Sequence, residues 1–200
     1  IEPVETEFGR KRSINQSSCN KDYSCLNGLC PSFITVEGGQ IKKSATTALN
    51  LPKMQFPVIG PIDGTHNVVI TGVGGTGVVT IGAILAQAAQ IDGKAAAMME
   101  MAGLAQKGGA VHIHCRLAET SDAISAVRVA TGEADALIGG DLVVSAGAKT
   151  LGLTKTGRTR AVVNSHEIIT GDFTRDSEFM LPSDRLEVAL QARLRESLFM

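Results

Sequence analysis

Three cysteines within twelve residues, Cys19, Cys25 and Cys30, are the first side chains here whose type and spacing suit chemistry. Their pattern is C-x5-C-x4-C-P, and a Cys-Pro pair is how a ferredoxin ligand run ends. Thiolates at such spacing bind iron–sulfur clusters or zinc. Zinc fits less well, since no histidine stands nearby, and unliganded thiols are the plain alternative. A fourth cluster ligand is expected from sequence upstream of Ile1. Cys115 stands apart and is expected to be a small core residue.

The second candidate is "VVITGVGGTGVVTIGAILAQAA", residues 68–89. Gly72, Gly74 and Gly77 follow the G-x-G-x-x-G spacing of a dinucleotide-binding turn, with Gly75 and Thr76 between them. A strand that feeds such a turn into a helix aims backbone N–H groups and a helix dipole at one point, which suits a phosphate. In this reading Gly72 permits the tight turn, Gly74 a close approach, and Gly77 the packing of helix on sheet. Glu100, near the end of the next strand, is the acid that would hold a ribose. The alternative is that the glycines only allow close packing. A third group, Lys107-Gly108-Gly109, sets a cation beside a glycine pair; Lys107 would meet a phosphate, an acidic partner surface, or solvent.

Elements must position these groups. Val68–Thr71 is a β-branched run suited to a buried strand. Apolar residues at 78, 81, 84, 85 and 88 mark a helix that Asp92-Gly93 ends. "KAAAMM" reads as a strand. Residues 110–117 alternate, with Val111, Ile113 and Cys115 on one face and His112, His114 and Arg116 on the other. The two histidines share a face and could bind a metal together; the plainer expectation is two imidazoles on a partly covered face. His66 and His166 read as loop or strand-end residues. Strands at 134–139 and 160–164 flank a helix at 142–151, and an amphipathic helix capped by Ser183 closes the chain. The expected fold is α/β, an open, largely parallel Rossmann-like sheet with helices on both faces. It is preceded by an irregular cysteine-containing extension. The expected domains are residues 1–40 (cysteine-rich), 41–64 (an extended linker holding Pro52, Pro57 and Pro61) and 65–200 (the α/β domain).

A net charge of −1 gives no reason to expect nucleic acid or an anionic membrane as partner. Apolar runs are too short to span a bilayer, and no signal peptide is recognisable at Ile1. The reading is a cytoplasmic piece of a longer protein, expected to form a homo-oligomer.

Several motifs then occur in one order: "CNKDYSCLNGLCPSF", "GVGGTGVVTIGA", "GLAQKGGAV" and "NSHEIITGDFTRD". Together they resemble the gamma domain, with its preceding cysteine segment, of fused indolepyruvate ferredoxin oxidoreductases in the 2-oxoacid:ferredoxin oxidoreductase family. The resemblance implies oxidative decarboxylation of an arylpyruvate to an acyl-CoA on thiamine diphosphate. Electrons would pass through iron–sulfur clusters to ferredoxin. Thiamine would lie outside this chain: Gly140-Asp141 is followed by Leu142 rather than Gly, so with Asn164 it is a decoy for the thiamine signature. No nucleophile–base–acid set appears, so the chain alone is expected to be inactive. The implied cofactor-binding residues are Gly72, Gly74, Gly75, Thr76, Gly77, Lys107, Gly108 and Gly109, and the implied metal ligands Cys19, Cys25 and Cys30. The rivals are an NAD- or FAD-binding oxidoreductase domain and a structural interaction module.

Overall fold

The computed structural model describes residues 2–13, 27, 37–40, 57, 60–103, 109–166, 168, 176 and 178–200. Residues Ile1–Cys19 and Pro61–Met200 form one unit, Asn20–Gly60 another. In the smaller unit the described residues include a turn in which Gly38 takes a positive φ of 73°.

The larger unit opens with a hairpin of β1 (Glu2–Thr6) and β2 (Gly9–Ser13), paired antiparallel. Residues 1–40 show no period in sequence, so this hairpin is a difference from expectation. Its turn is fixed locally: Gly9 has φ 85°, and Thr6 Oγ1 donates to the Gly9 carbonyl at 2.6 Å.

The main sheet contains β3 (Thr65–Val73), β4 (Ala95–Ala102), β5 (Ala110–Ala118), β6 (Ala136–Gly139), β7 (Arg160–Val163) and β8 (Glu196–Phe199), in the order β4-β5-β3-β6-β7-β8. The β3–β6, β6–β7 and β7–β8 pairs are parallel, while β5 runs against both β3 and β4. The sheet is therefore largely parallel, with β5 the one reversed strand. Helix α1 (Val78–Ile91) packs on β3, β4 and β5. Its side of the sheet buries Val68, Ile70, Val111, Ile113 and Cys115. The other side carries α2 (Leu142–Ser145), α3 (Ala148–Leu153) and α4 (Ser183–Gln191), over a core of Val69, Leu137, Leu142, Val163 and Leu190. The strand alternation places these two sets on opposite faces.

Three local expectations are corrected. The helix expected at 142–151 is two short helices, because Gly147 adopts extended angles (φ −64°, ψ 149°) between them. Ser183 is the first helical residue of α4 rather than its cap, which is Pro182. The closing helix ends at Gln191, and the residues after it return as β8. Leu194 is buried and Phe199 packs on the α4 side of the core, while Arg195 N–H donates to Thr159 O at 2.8 Å. Pairing with β7 outweighs the helix propensity of a short terminal segment.

Among the described residues, no helix is long and apolar enough to cross a membrane.

Candidate functional site

The next two strands in sequence, β4 and β5, lie on one side of β3, and β6, β7 and β8 lie on the other. The carboxyl ends of β3 and β6 therefore flank the point where an open α/β sheet places ligands. The glycine turn leaves β3 here, and Gly139, Gly140 and Asp141 leave β6.

The turn is closed mainly by its own chain. Thr76 donates to Val73 O from both its N–H (3.2 Å) and its hydroxyl (2.6 Å). Gly75 and Gly77 have φ of 92° and 87°, left-handed values that L side chains rarely adopt. Gly77 is the N-cap of α1, with no side-chain cap and no acidic residue in the first turn. Gly74 N–H donates to Gly109 O at 2.8 Å, so the start of β5 takes one of the donors a pyrophosphate would need.

The glycines differ in role from the sequence expectation. A Cβ on Gly77 meets nothing within 4 Å, so this residue serves the turn's backbone, not the packing of helix on sheet. A Cβ on Gly72 would overlap Val78 Cγ2, and Gly140 Cα stands 3.7 Å from it. A Cβ on Gly82 would lie 2.8 Å from Ile113 Cγ2 and 3.0 Å from Met98 Sδ. Gly72 and Gly82 thus set how closely α1 approaches the sheet. A shallow pocket of about 310 Å³ remains at the turn, lined by Val73, Gly74, Gly75, Gly77, Val79 and Val111. None of its lining residues is charged.

Glu100 is not placed to hold a ribose. It lies within β4 opposite Ile113, and β5 separates β4 from β3. A dinucleotide site needs its acid at the end of the strand beside the glycine turn.

Asp141 caps α2: its Oδ1 accepts from Val144 N–H at 2.9 Å. Its Oδ2 has no partner among the described residues, and burial pushes its carboxyl above the usual range. Asn164 donates to Gly140 O at 3.3 Å, and its Oδ1 accepts from His166 N–H at 3.0 Å. Both residues have local structural work.

On the α2–α3 face of β5, His112, His114 and Arg116 are all buried. His114 Nδ1 accepts from Val129 N–H at 3.0 Å, so the ring is neutral with its proton on Nε2, which has no partner among the described residues. Burial first, then the nearby charges of His112, Arg128 and Arg116, pull its pKa down to about 4. His112 Nε2 lies 3.2 Å from Thr150 Oγ1, and burial with Lys149 nearby lowers its pKa also. Cys115 is fully buried on the opposite face and its thiol is raised by burial, as suits a core residue.

A cleft of about 620 Å³ opens beside His112, between the β4–β5 ends and the α2–α3 junction. Met101, Ala110, Val143 and Ala148 form apolar walls, and His112 and Lys149 bring polar groups to it. A volume of this order suits a small-molecule site. Sequence reading missed Lys149, because only the sheet order brings α3 beside the start of β5.

Of the expected site residues, Gly72, Gly74, Gly75, Thr76, Gly77 and Gly109 meet at this edge. Lys107, Gly108, Cys19, Cys25 and Cys30 lie outside the described residues. Among the described residues no three His, Cys, Asp or Glu side chains gather as a metal site.

A doubly wound α/β domain with a self-closed glycine turn and a neighbouring cleft is the class these features define. A profile of the family "Pyruvate ferredoxin/flavodoxin oxidoreductase" matches residues 67–196, and the chain belongs to that family. It is 38% identical over 72 residues to Indolepyruvate oxidoreductase subunit IorB of Archaeoglobus fulgidus, a stretch covering 36% of this chain and 34% of that protein. The gamma subunit of keto/oxoacid ferredoxin oxidoreductase from Geobacter sulfurreducens PCA superposes with a TM-score of 0.38 at 26% identity, over 52% of each chain. Pyruvate oxidoreductase subunit PORC from Thermotoga maritima gives 0.41 at 17% identity, over 56% of this chain and 55% of that one. The chain spans about a third of IorB and about half of the two solved chains.

Proposed function

We propose that this chain is the gamma-type part of a 2-oxoacid:ferredoxin oxidoreductase acting on an arylpyruvate such as indolepyruvate. It joins the parts of the enzyme that hold thiamine diphosphate and contributes to the CoA site. The family match over residues 67–196 carries this reading. The Gly74–Gly109 hydrogen bond and the position of Glu100 favour it over an NAD or FAD site. Other subunits or domains are its partners, ferredoxin accepts the electrons, and the chain also self-associates. The setting is cytoplasmic.

CoA would supply the thiol that accepts the acyl group. The cleft's apolar walls suit its pantetheine arm, and Lys149 would face one phosphate. In the assembled enzyme, arylpyruvate-driven ferredoxin reduction should require CoA. Lys149→Ala should raise the KM for CoA about 3- to 10-fold, the loss of one exposed charge contact, with kcat little changed. Ferredoxin reduction at full rate without CoA would sink the reading. An unchanged KM would remove Lys149 from the site.

Cys19, Cys25 and Cys30 are proposed to bind an iron–sulfur cluster with a ligand from elsewhere in the parent protein. Anaerobically prepared full-length protein should lose iron and brown absorbance when Cys25 or Cys30 becomes Ser. Iron content equal to that of the parent would count against the assignment.

A further inference from the structure

The cleft of about 620 Å³ is apolar on most sides, and two of its described lining residues bring side-chain nitrogen to it, Lys149 and His112. They differ in kind. An ammonium has three donors and no accepting lone pair, whereas a neutral imidazole carries one donor and one acceptor. Met101, Val143, Val144 and the small residues around them offer no side-chain nitrogen or oxygen. Within the described lining, His112 is therefore the one side chain with a nitrogen or oxygen acceptor.

Thr150 decides which ring nitrogen accepts. Its hydroxyl has a single hydrogen, which it donates to the Val144 carbonyl at 2.7 Å. His112 Nε2, 3.2 Å from the same hydroxyl oxygen, must then be the donor of that pair. The lone pair is left on Nδ1. Among the described residues, His114 Nε2 and Arg116 Nε are buried without a partner, but His112 Nδ1 is not among such atoms. It has no hydrogen bond among the described residues either, so it meets open space, and the open space at His112 is the cleft.

The ring is neutral as well as oriented. Burial first, then the ammonium of Lys149, hold its pKa below the usual value, so near neutral pH it is a poor acceptor of a full proton. That argues against a base that deprotonates the CoA thiol. It suits a fixed acceptor facing a neutral donor. The pantetheine arm of CoA carries two such donors, the N–H groups of its secondary amides. An amide N–H drawn between apolar walls is costly unless it finds an acceptor.

We propose that His112 Nδ1 accepts a pantetheine amide N–H and so fixes the register of the arm in the cleft. The proposal rests on the CoA reading above and adds a specificity-determining residue to that site.

Two measurements test it. In the isotope-labelled chain at neutral pH, long-range proton–nitrogen correlation should show His112 protonated on Nε2 and bare on Nδ1. The reverse tautomer would overturn the proposal, and this result needs no variant to fold. In the assembled enzyme, His112→Leu should raise the KM for CoA about 3- to 10-fold, the loss of one neutral hydrogen bond, with kcat little changed. His112→Asn, whose Oδ1 reaches close to the place of Nδ1, should recover most of that loss. An unchanged KM in His112→Leu would overturn the proposal. So would an equal rise in both variants, which would make the ring a packing group, or a fall in kcat at unchanged KM, which would give it a proton-transfer role. Ferredoxin reduction at full rate without CoA sinks the functional reading itself. A CoA requirement that persists while His112→Leu leaves KM flat sinks only the role of His112.

Discussion

Gly72→Val should destabilise the domain by about 3 kcal/mol, the upper end of the range for overpacked cores. The new Cβ would overlap Val78 Cγ2 on α1, with Gly140 Cα 3.7 Å away on the other side. Gly72 lies in the buried stretch of the central strand β3 and Val78 in the first turn of α1, so neither backbone can retreat cheaply. For a chain of this size that energy lowers the Tm by about 6–12 °C. Gly77→Ala gives the contrast: its Cβ enters open space, and only the left-handed φ of 87° resists it, at about 1–2 kcal/mol. Denaturant unfolding of both variants checks the order. A Gly77→Ala loss equal to or above that of Gly72→Val would mean that turn conformation, not helix–strand clearance, limits the fold.

The second large effect is acid sensitivity from His114. Its pKa is lowered from 6.5 to about 4 in the folded chain. Above about pH 6.5 neither state binds the proton, and the group is neutral in stability. As pH falls from there toward 4, the unfolded chain takes a proton that the folded chain refuses. Stability therefore drops by up to about 1.4 kcal/mol per pH unit, reaching about 3 kcal/mol near pH 4. His112 is shifted in the same direction and adds to the loss. His114→Asn keeps an acceptor for the Val129 N–H while removing the titration. Denaturant unfolding between about pH 7 and 4.5 should show the parent losing about 2–3 kcal/mol more than this variant, with carboxylate contributions common to both. Parallel pH profiles would refute a neutral, buried His114.

Periodicity made most of the sheet legible. The β-branched run at 68–71, the alternation at 110–117 and the apolar spacing from 78 to 88 each appear as the expected element. The reversal of β5 was not legible, because a buried strand's side-chain pattern carries no direction. The placing of β5 between β4 and β3 matters most for function: its insertion separates Glu100 from β3, and its reversal brings Gly109 onto Gly74. The glycines illustrate the same limit. G-x-G-x-x-G spacing is visible in sequence, but which glycine clears a neighbour and which carries a positive φ depends on where α1 lands. Lys149 joined the candidate site only through the sheet order. The C-terminal strand was hidden by a helix-like pattern, since Leu186, Leu190 and Leu194 share spacing while the pairing partner, β7, lies 36 residues earlier.

The central claim is that the glycine turn is an internal joint, closed by Gly109, rather than a dinucleotide site. Calorimetric titration of the purified chain with NAD, NADP and FAD tests it most directly. Binding should be no tighter than about millimolar, roughly 4 kcal/mol, for all three. Micromolar NAD binding that Glu100→Ala abolishes would contradict the account and make this an ordinary nucleotide turn.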